Sequence, residues 1–247
     1  MYEPRTYRHD MGGRFDSFIY RFRETDIWVG YDKDAGIESQ TVRDFIDRQC
    51  RALRTAVEAY LAGHPEFGTS HLPLDCAQDA PEMIKALAAC SRKANVGPMA
   101  GIAGAFSEHL GKACSRHFGF REIVIENGGD DYLQIGSPLR VALSAGASPL
   151  SGKIHLEVPP EYSPLGLCAS SGTFGHSFSY GKADLVSVAC RSAILADMYA
   201  TAFANRVQDK EDIGKVLDEA AAVAEILHIA VIKDDCFGIR GKLKIIS

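Results

Sequence analysis

A chain of 247 residues that is 46% hydrophobic carries enough apolar material for a large core, in one sizeable domain or two small ones fused tightly. A formal net charge of -5, with no clustered basic face, speaks against nucleic acid as a partner. The polar opening, Met1 to Arg14, offers no signal region, and the apolar stretch 220–232 is short and broken by Glu225 and His228, so no membrane span is expected.

Residues 15–31 read as two strands joined by a polar turn at 23–26. Residues 42–61 then repeat apolar side chains at helical spacing: Val42, Phe45, Ile46, Cys50, Leu53, Val57 and Leu61. Pro65 and Gly68 end that helix, and Pro81 opens a second, Glu82–Ala94. Pro98 opens a third, running to about His117. Its early face (Gly97, Ala100, Gly101, Gly104, Ala105) is small, which suits tight packing of the helix on a neighbour. Short strands are expected at 122–126, 132–135, 140–144, 153–158 and Leu185–Cys190. A helix at 192–206, a helical stretch at 211–225 and a closing strand pair, 229–232 with 239–245, complete the chain. Strands in hairpin-like groups without βαβ alternation predict an α+β fold with a largely antiparallel sheet. No linker divides the chain, so residues 1–247 are expected to form a single domain. The cysteines, Cys50, Cys76, Cys90, Cys114, Cys168, Cys190 and Cys236, stand singly and are odd in number, which fits reduced thiols in a cytoplasm.

Three segments carry residues suited to chemistry. Asn127, Gly128, Gly129, Asp130 and Asp131 lie between apolar strands, where Asn-Gly and Gly-Gly supply a hairpin turn. The stretch is longer than a minimal turn, and Glu126 and Asp130 bracket amides able to face a ligand. In the second segment Ser170, Ser171, Gly172, Thr173, Gly175, His176 and Ser177 follow the apolar run 165–169. It reads either as a surface loop or as a phosphate cradle of converging amides and hydroxyls. It is neither a Walker loop nor a dinucleotide fingerprint. His176 stands where it would neutralise or protonate a leaving phosphate, or serve as a structural hydrogen-bonding residue. Lys182 and Asp184 add a cation and an acceptor, or form a solvated strand entry. In the third segment Asp197 and Thr201 are i and i+4 on a helix whose face is otherwise small, at Ala193 and Ala204. Mg²⁺ would compensate a carboxylate buried there; otherwise Asp197 accepts from a backbone amide and Thr201 bonds its own helix.

In order along the chain, these segments resemble the ApbE-like superfamily, whose best-known members are Mg²⁺-dependent FAD:protein FMN transferases. The resemblance runs over roughly 95–205. It rests on Val96-Gly97-Pro98-Met99-Ala100 with Gly104, Asn127-Gly128-Gly129-Asp130, Ser171-Gly172 with His176, and Ala196-Asp197 with Ala200-Thr201. The nearest likeness is to a branch of that superfamily with no activity established. It implies a T-fold-like, duplicated α+β architecture, metal at Asp197 and Thr201, and a flavin or other phosphate-bearing nucleotide near Asn127, Gly128, Gly129, Asp130, Ser171, Gly172, Thr173 and Lys182. His176 would assist catalysis, Mg²⁺ would be the cofactor, and FAD a ligand. The transferases typically carry an acid where Gly97 stands and a lysine where Ala103 stands; this chain has neither, and the region before Asn95 gives no motif match. Three functions follow: a Mg²⁺-dependent nucleotidyl or flavin transferase, a ligand-binding module of the same fold, and thiol chemistry at Cys168 or Cys190.

Overall fold

Hairpin chemistry and strand alternation build the centre of the molecule, in a computed structural model that describes residues 13–33, 35–173 and 180–246. Strands β1 (Phe15–Phe22) and β2 (Thr25–Asp32) pair antiparallel across a two-residue turn at Arg23 and Glu24. Six more strands join them: β3 (Ile123–Glu126), β4 (Asp130–Gln134), β7 (Leu165–Ser170), β8 (Leu185–Cys190), β9 (Ile226–Lys233) and β10 (Cys236–Gly241). The order is β1-β2-β3-β4-β7-β8-β9-β10, with every neighbouring pair antiparallel. A second sheet has the order β11-β6-β5, from Lys244–Ile246, His155–Val158 and Leu139–Ala142.

The large sheet is covered on both faces, because alternate residues of one strand enter different clusters. Ile123, Ile125, Val186, Val188, Ile229 and Val231 face the helical side. Val124, Leu185, Ala189, Ala230 and Ile232 face the small sheet, where Leu139, Leu156 and Val158 meet them. The helical layer contains α1 (Ser39–Gly63), α2 (Pro65–Thr69), α3 (Glu82–Ala94), α4 (Ile102–Phe118), α5 (Ala193–Ala204) and α6 (Asp212–Ala221). The chain is α+β and mostly antiparallel, as the strand grouping predicts. No helix among the described residues is long and apolar enough to cross a membrane.

Four local expectations need correction. Gly68 lies within α2 rather than in a simple terminator. The third helix opens with a 3₁₀ turn, Pro98–Gly101, before α4 begins. Residues 165–170, read as a lead-in to a loop, form the central strand β7. Its Gly166 leaves room for α5, since a Cβ there would overlap the backbone of Ala193. The expected strand 239–245 is two strands: Gly241 adopts φ 123° and Lys242 N–H turns to the Leu227 carbonyl, sending β11 to the second sheet.

Candidate functional site

Helix α5 is apolar almost all round and sits inside the molecule, as such a helix must. Every residue from Ala193 to Ala204 is buried except Thr201. Its N-terminus is tied down by Glu108 of α4, which accepts from Ser192 Oγ at 2.8 Å and Ala193 N–H at 2.7 Å. These bonds satisfy donors that the first turn of a helix leaves open and place a carboxylate at the positive end of its dipole. Lys112 balances Glu108 from the next turn of α4.

The two helices cross at Gly104. A Cβ there would overlap the Ala193 carbonyl oxygen and stand 3.0 Å from Asp197 Cβ, so only glycine permits this approach. Asp197 Oδ2 then accepts from Gly104 N–H at 2.9 Å and caps the first turn of α4. Gly104→Ala is expected to destabilise the protein by about 1–3 kcal/mol, because overpacking forces the helices apart. Urea denaturation measures it; a midpoint equal to wild type would show that the crossing is not tight.

Strand β4 delivers the second carboxylate. Ser107 Oγ of α4 donates to the Asp130 carbonyl at 2.7 Å, and Asn127 Nδ2 donates to the Ala103 carbonyl at 3.2 Å, so the turn and α4 are fastened together. Asp130, Asp197 and Thr201 line one cavity of about 260 Å³. Both carboxylates are buried, and Asp130 Oδ1 has no hydrogen-bond partner among the described residues. Burial, together with the Asp197 and Asp131 charges, holds Asp130 well above the usual carboxylate range. Burial also raises Asp197, to about 7, against the opposing pull of the Gly104 amide. None of the described residues lining the cavity is lysine or arginine.

The other expected site residues lie elsewhere or are already engaged. Gly128 and Gly129 do not offer amides to a ligand: both N–H groups donate to Glu126 Oε1, at 2.7 and 3.0 Å. A minimal turn occupies 127–129, and Asp130 already belongs to β4. Gly172 N–H donates to the Ala183 carbonyl, Thr173 N–H to Ser171 Oγ, and Thr173 Oγ1 to Asp184 at 2.9 Å. That turn is therefore stitched to 183–184, and its described residues do not line the cavity. Lys182 is exposed and does not line it either. His176 lies outside the described residues. Thiol chemistry loses its physical basis: burial and nearby carboxylates push the Cys168 thiol up, and burial pushes Cys190 to about 12.

Sequence reasoning missed one wall of the cavity. Gly68 of α2 and Ser70 and His71 just after it line the cavity, as do Tyr180 and Asn205. The absent acid at position 97 now has a cause: a Cβ on Gly97 would overlap the Ser70 carbonyl oxygen, so no side chain fits.

Comparison with known proteins agrees with this architecture. The family described as "AbpE bacteria" matches residues 8–233, which brings in the region before Asn95 that motif comparison left out. A UPF0280 protein of Methanospirillum hungatei is 45% identical over 189 residues, covering 75% of this chain and 73% of its own. Among solved structures, the ApbE protein of Thermotoga maritima aligns with TM-score 0.60 at 11% identity, over 92% of this chain and 97% of that one. The apo flavinyl transferase ApbE of Pseudomonas stutzeri aligns with TM-score 0.58 at 13% identity, over 92% and 93%. At such identities the likeness is one of fold.

Proposed function

This chain belongs to the AbpE bacteria family, in its UPF0280 branch, and on that premise we propose that it binds a phosphate-bearing nucleotide, flavin nucleotides among them, through a divalent cation. Asp197 and Thr201 would hold the cation, and Asp130 would complete an all-oxygen set suited to Mg²⁺. One observation carries the reading: two buried carboxylates, one with an orphaned oxygen, converge on a cavity without a lysine or arginine among its described lining residues. Buried like charges need compensation, and a hard cation supplies it with the donors present.

When bound, Mg²⁺ would neutralise charge on phosphate oxygens and favour cleavage of a phosphoanhydride. The protein's own contribution is positional. Gly104 N–H fixes Asp197 Oδ2, which sets the orientation of that carboxylate toward the cavity. Glu108 fixes the start of α5, so Asp197 and Thr201 keep their place on a rigid, buried helix. Titration of Mg²⁺ by calorimetry is expected to give a saturable isotherm for wild type and none for Asp197→Ala, with the fold retained by circular dichroism. Identical isotherms would sink the cation site.

A binding module without transfer chemistry is favoured by a specific observation. Ala103 brings no cation to the cavity, and Gly97 has no space for an acid. Incubation with FAD and Mg²⁺ separates the readings: AMP release supports a transferase, and bound flavin without AMP supports the module. Transfer of FMN to a target peptide is expected to be weak or absent. Robust flavinylation with micromolar or tighter FAD binding would establish the plain transferase instead.

A further inference from the structure

We propose that Ser107 is a positioning residue for the cation site: one turn of α4 gauges the spacing of the two carboxylates, and Ser107 holds the Asp130 side of it firmly enough to favour Mg²⁺ over Ca²⁺. This rests on the cation-binding reading and adds to it a residue that no motif marks.

A single turn of α4 touches every element that brings a ligand to the cavity. Gly104, Ser107 and Glu108 are i, i+3 and i+4, so they share one face of the helix. Gly104 N–H donates to Asp197 Oδ2 at 2.9 Å. Glu108 Oε2 accepts from Ala193 N–H at 2.7 Å, at the start of the helix that carries Asp197 and Thr201. Ser107 Oγ donates to the Asp130 carbonyl at 2.7 Å, at the first residue of β4. Gly111, one turn further along the same face, lets the strand come this close. A Cβ there would overlap the ring of Tyr132, two residues beyond Asp130. Both carboxylates therefore take their places from the same short piece of rigid helix.

The bond from Ser107 to the strand is a choice between two acceptors. A helical serine ordinarily turns its hydroxyl to the carbonyl four residues back. The Ala103 carbonyl lies 3.1 Å away, but the Asp130 carbonyl is nearer at 2.7 Å, and Asn127 Nδ2 already donates to Ala103. A hydroxyl has one proton to give, and here it goes to the strand. Ser107 is fully buried, so water does not compete for it. Asp130 Oδ1 has no hydrogen-bond partner among the described residues, which leaves it open to a ligand. The main chain that carries it is the part Ser107 fastens.

Mg²⁺ and Ca²⁺ differ in how much slack they accept. Mg²⁺ demands near-ideal octahedral geometry at about 2.0–2.1 Å, whereas Ca²⁺ takes oxygen ligands at about 2.3–2.6 Å in flexible arrangements. Looseness between β4 and α4 therefore weakens Mg²⁺ more than Ca²⁺. A general loss of stability does not discriminate between the two ions.

The test titrates Mg²⁺ and Ca²⁺ separately into the full chain by calorimetry, for wild type and Ser107→Ala. The variant is expected to bind Mg²⁺ about 10–100-fold more weakly, the usual cost of losing a group that orients a metal ligand, with a smaller loss for Ca²⁺. The ratio of Mg²⁺ to Ca²⁺ affinity is thus expected to fall. Ser107→Cys keeps the side-chain volume and offers only a weak S–H donor, so it gives the same readout if the alanine variant does not fold. Ser115→Ala is the control, because Ser115 Oγ also donates from α4 to a backbone carbonyl, that of Phe120, at 3.1 Å. It lies two turns beyond Ser107, and both cation affinities should stay at their wild-type values. An affinity ratio unchanged in the Ser107 variants, whether or not binding weakens, would reduce Ser107 to a contributor to stability and overturn the inference while leaving the cation site intact. A ratio that falls as far in Ser115→Ala would overturn it too. If wild type binds neither ion, the underlying reading fails and the inference falls with it.

Discussion

A fragment beginning at Asn95 is expected to lose cooperative folding altogether. Such a fragment keeps every residue of the ApbE-like motifs, so a self-sufficient site domain would survive the cut. The sheet argues otherwise. Trp28, Val29, Gly30 and Tyr31 of β2 pair with β3, and removing β1 and β2 from the end of the eight-stranded sheet leaves β3, buried along its whole length, as an uncovered edge. Helix α1 buries Val42, Phe45, Ile46, Cys50, Leu53 and Val57 against the same cluster that holds α4 and α5. Each large apolar side chain contributes about 1.5–3 kcal/mol on burial. Losing α1 alone therefore removes as much as the whole net stability of a domain, about 5–15 kcal/mol. Helix α3 goes too, with Ile84, Leu87 and Ala88. Thermal unfolding followed by circular dichroism decides it. A sharp transition in the fragment would show that residues 95–247 fold alone, and the single-domain proposal would be lost.

The parts of this structure that could be read from sequence are those fixed by local physics. The apolar repeat from Val42 to Val57 and the Pro81 start gave α1 and α3 closely, because amphipathic periodicity needs no knowledge of the partner. Strand β8 was visible as a short apolar run that is buried on both faces. Strand β7 was not, since Gly166 looks like a loop residue until α5 is laid across it. The same limit applies to the candidate site. Spacing alone placed Asp197 and Thr201 on one helical face, and the structure brings both to the cavity with Asp130. Which amides are engaged was invisible: Glu126 takes those of Gly128 and Gly129, and 183–184 hold the 171–173 turn. Ser70, His71 and Tyr180 carry no motif. They reach the cavity through close backbone approaches at Gly97 and Gly181, which are tertiary facts.

Between pH 6.5 and pH 4 the protein is expected to lose about 3 kcal/mol of stability through His228 alone. This histidine sits in β9 between Ala189 and Gly241, is 1% exposed, and has neither ring nitrogen partnered among the described residues. Burial lowers its pKa from 6.5 to about 4. The folded state therefore holds a neutral ring where the unfolded chain would bind a proton. Above pH 6.5 both states are neutral and the group contributes no pH dependence. As pH falls through the unfolded value, the unfolded state gains protons first and stability drops by about 1.4 kcal/mol per unit. The loss levels off once the folded ring protonates near pH 4. Asp130 and Asp197, raised by burial, act in the opposite direction in the cation-free protein, because acid relieves their buried charge. A wild-type curve alone would mix the two effects. His228→Leu separates them, since the carboxylates are unchanged and their contribution cancels in the difference. The variant should be at least as stable as wild type at pH 7, where an unpartnered imidazole already costs about 1–3 kcal/mol. Its advantage should then widen by about 3 kcal/mol toward pH 4, measured as urea unfolding free energies at half-unit steps. Parallel curves for the two proteins would mean that His228 keeps an ordinary pKa in the folded state, and the acid sensitivity would have to come from another group.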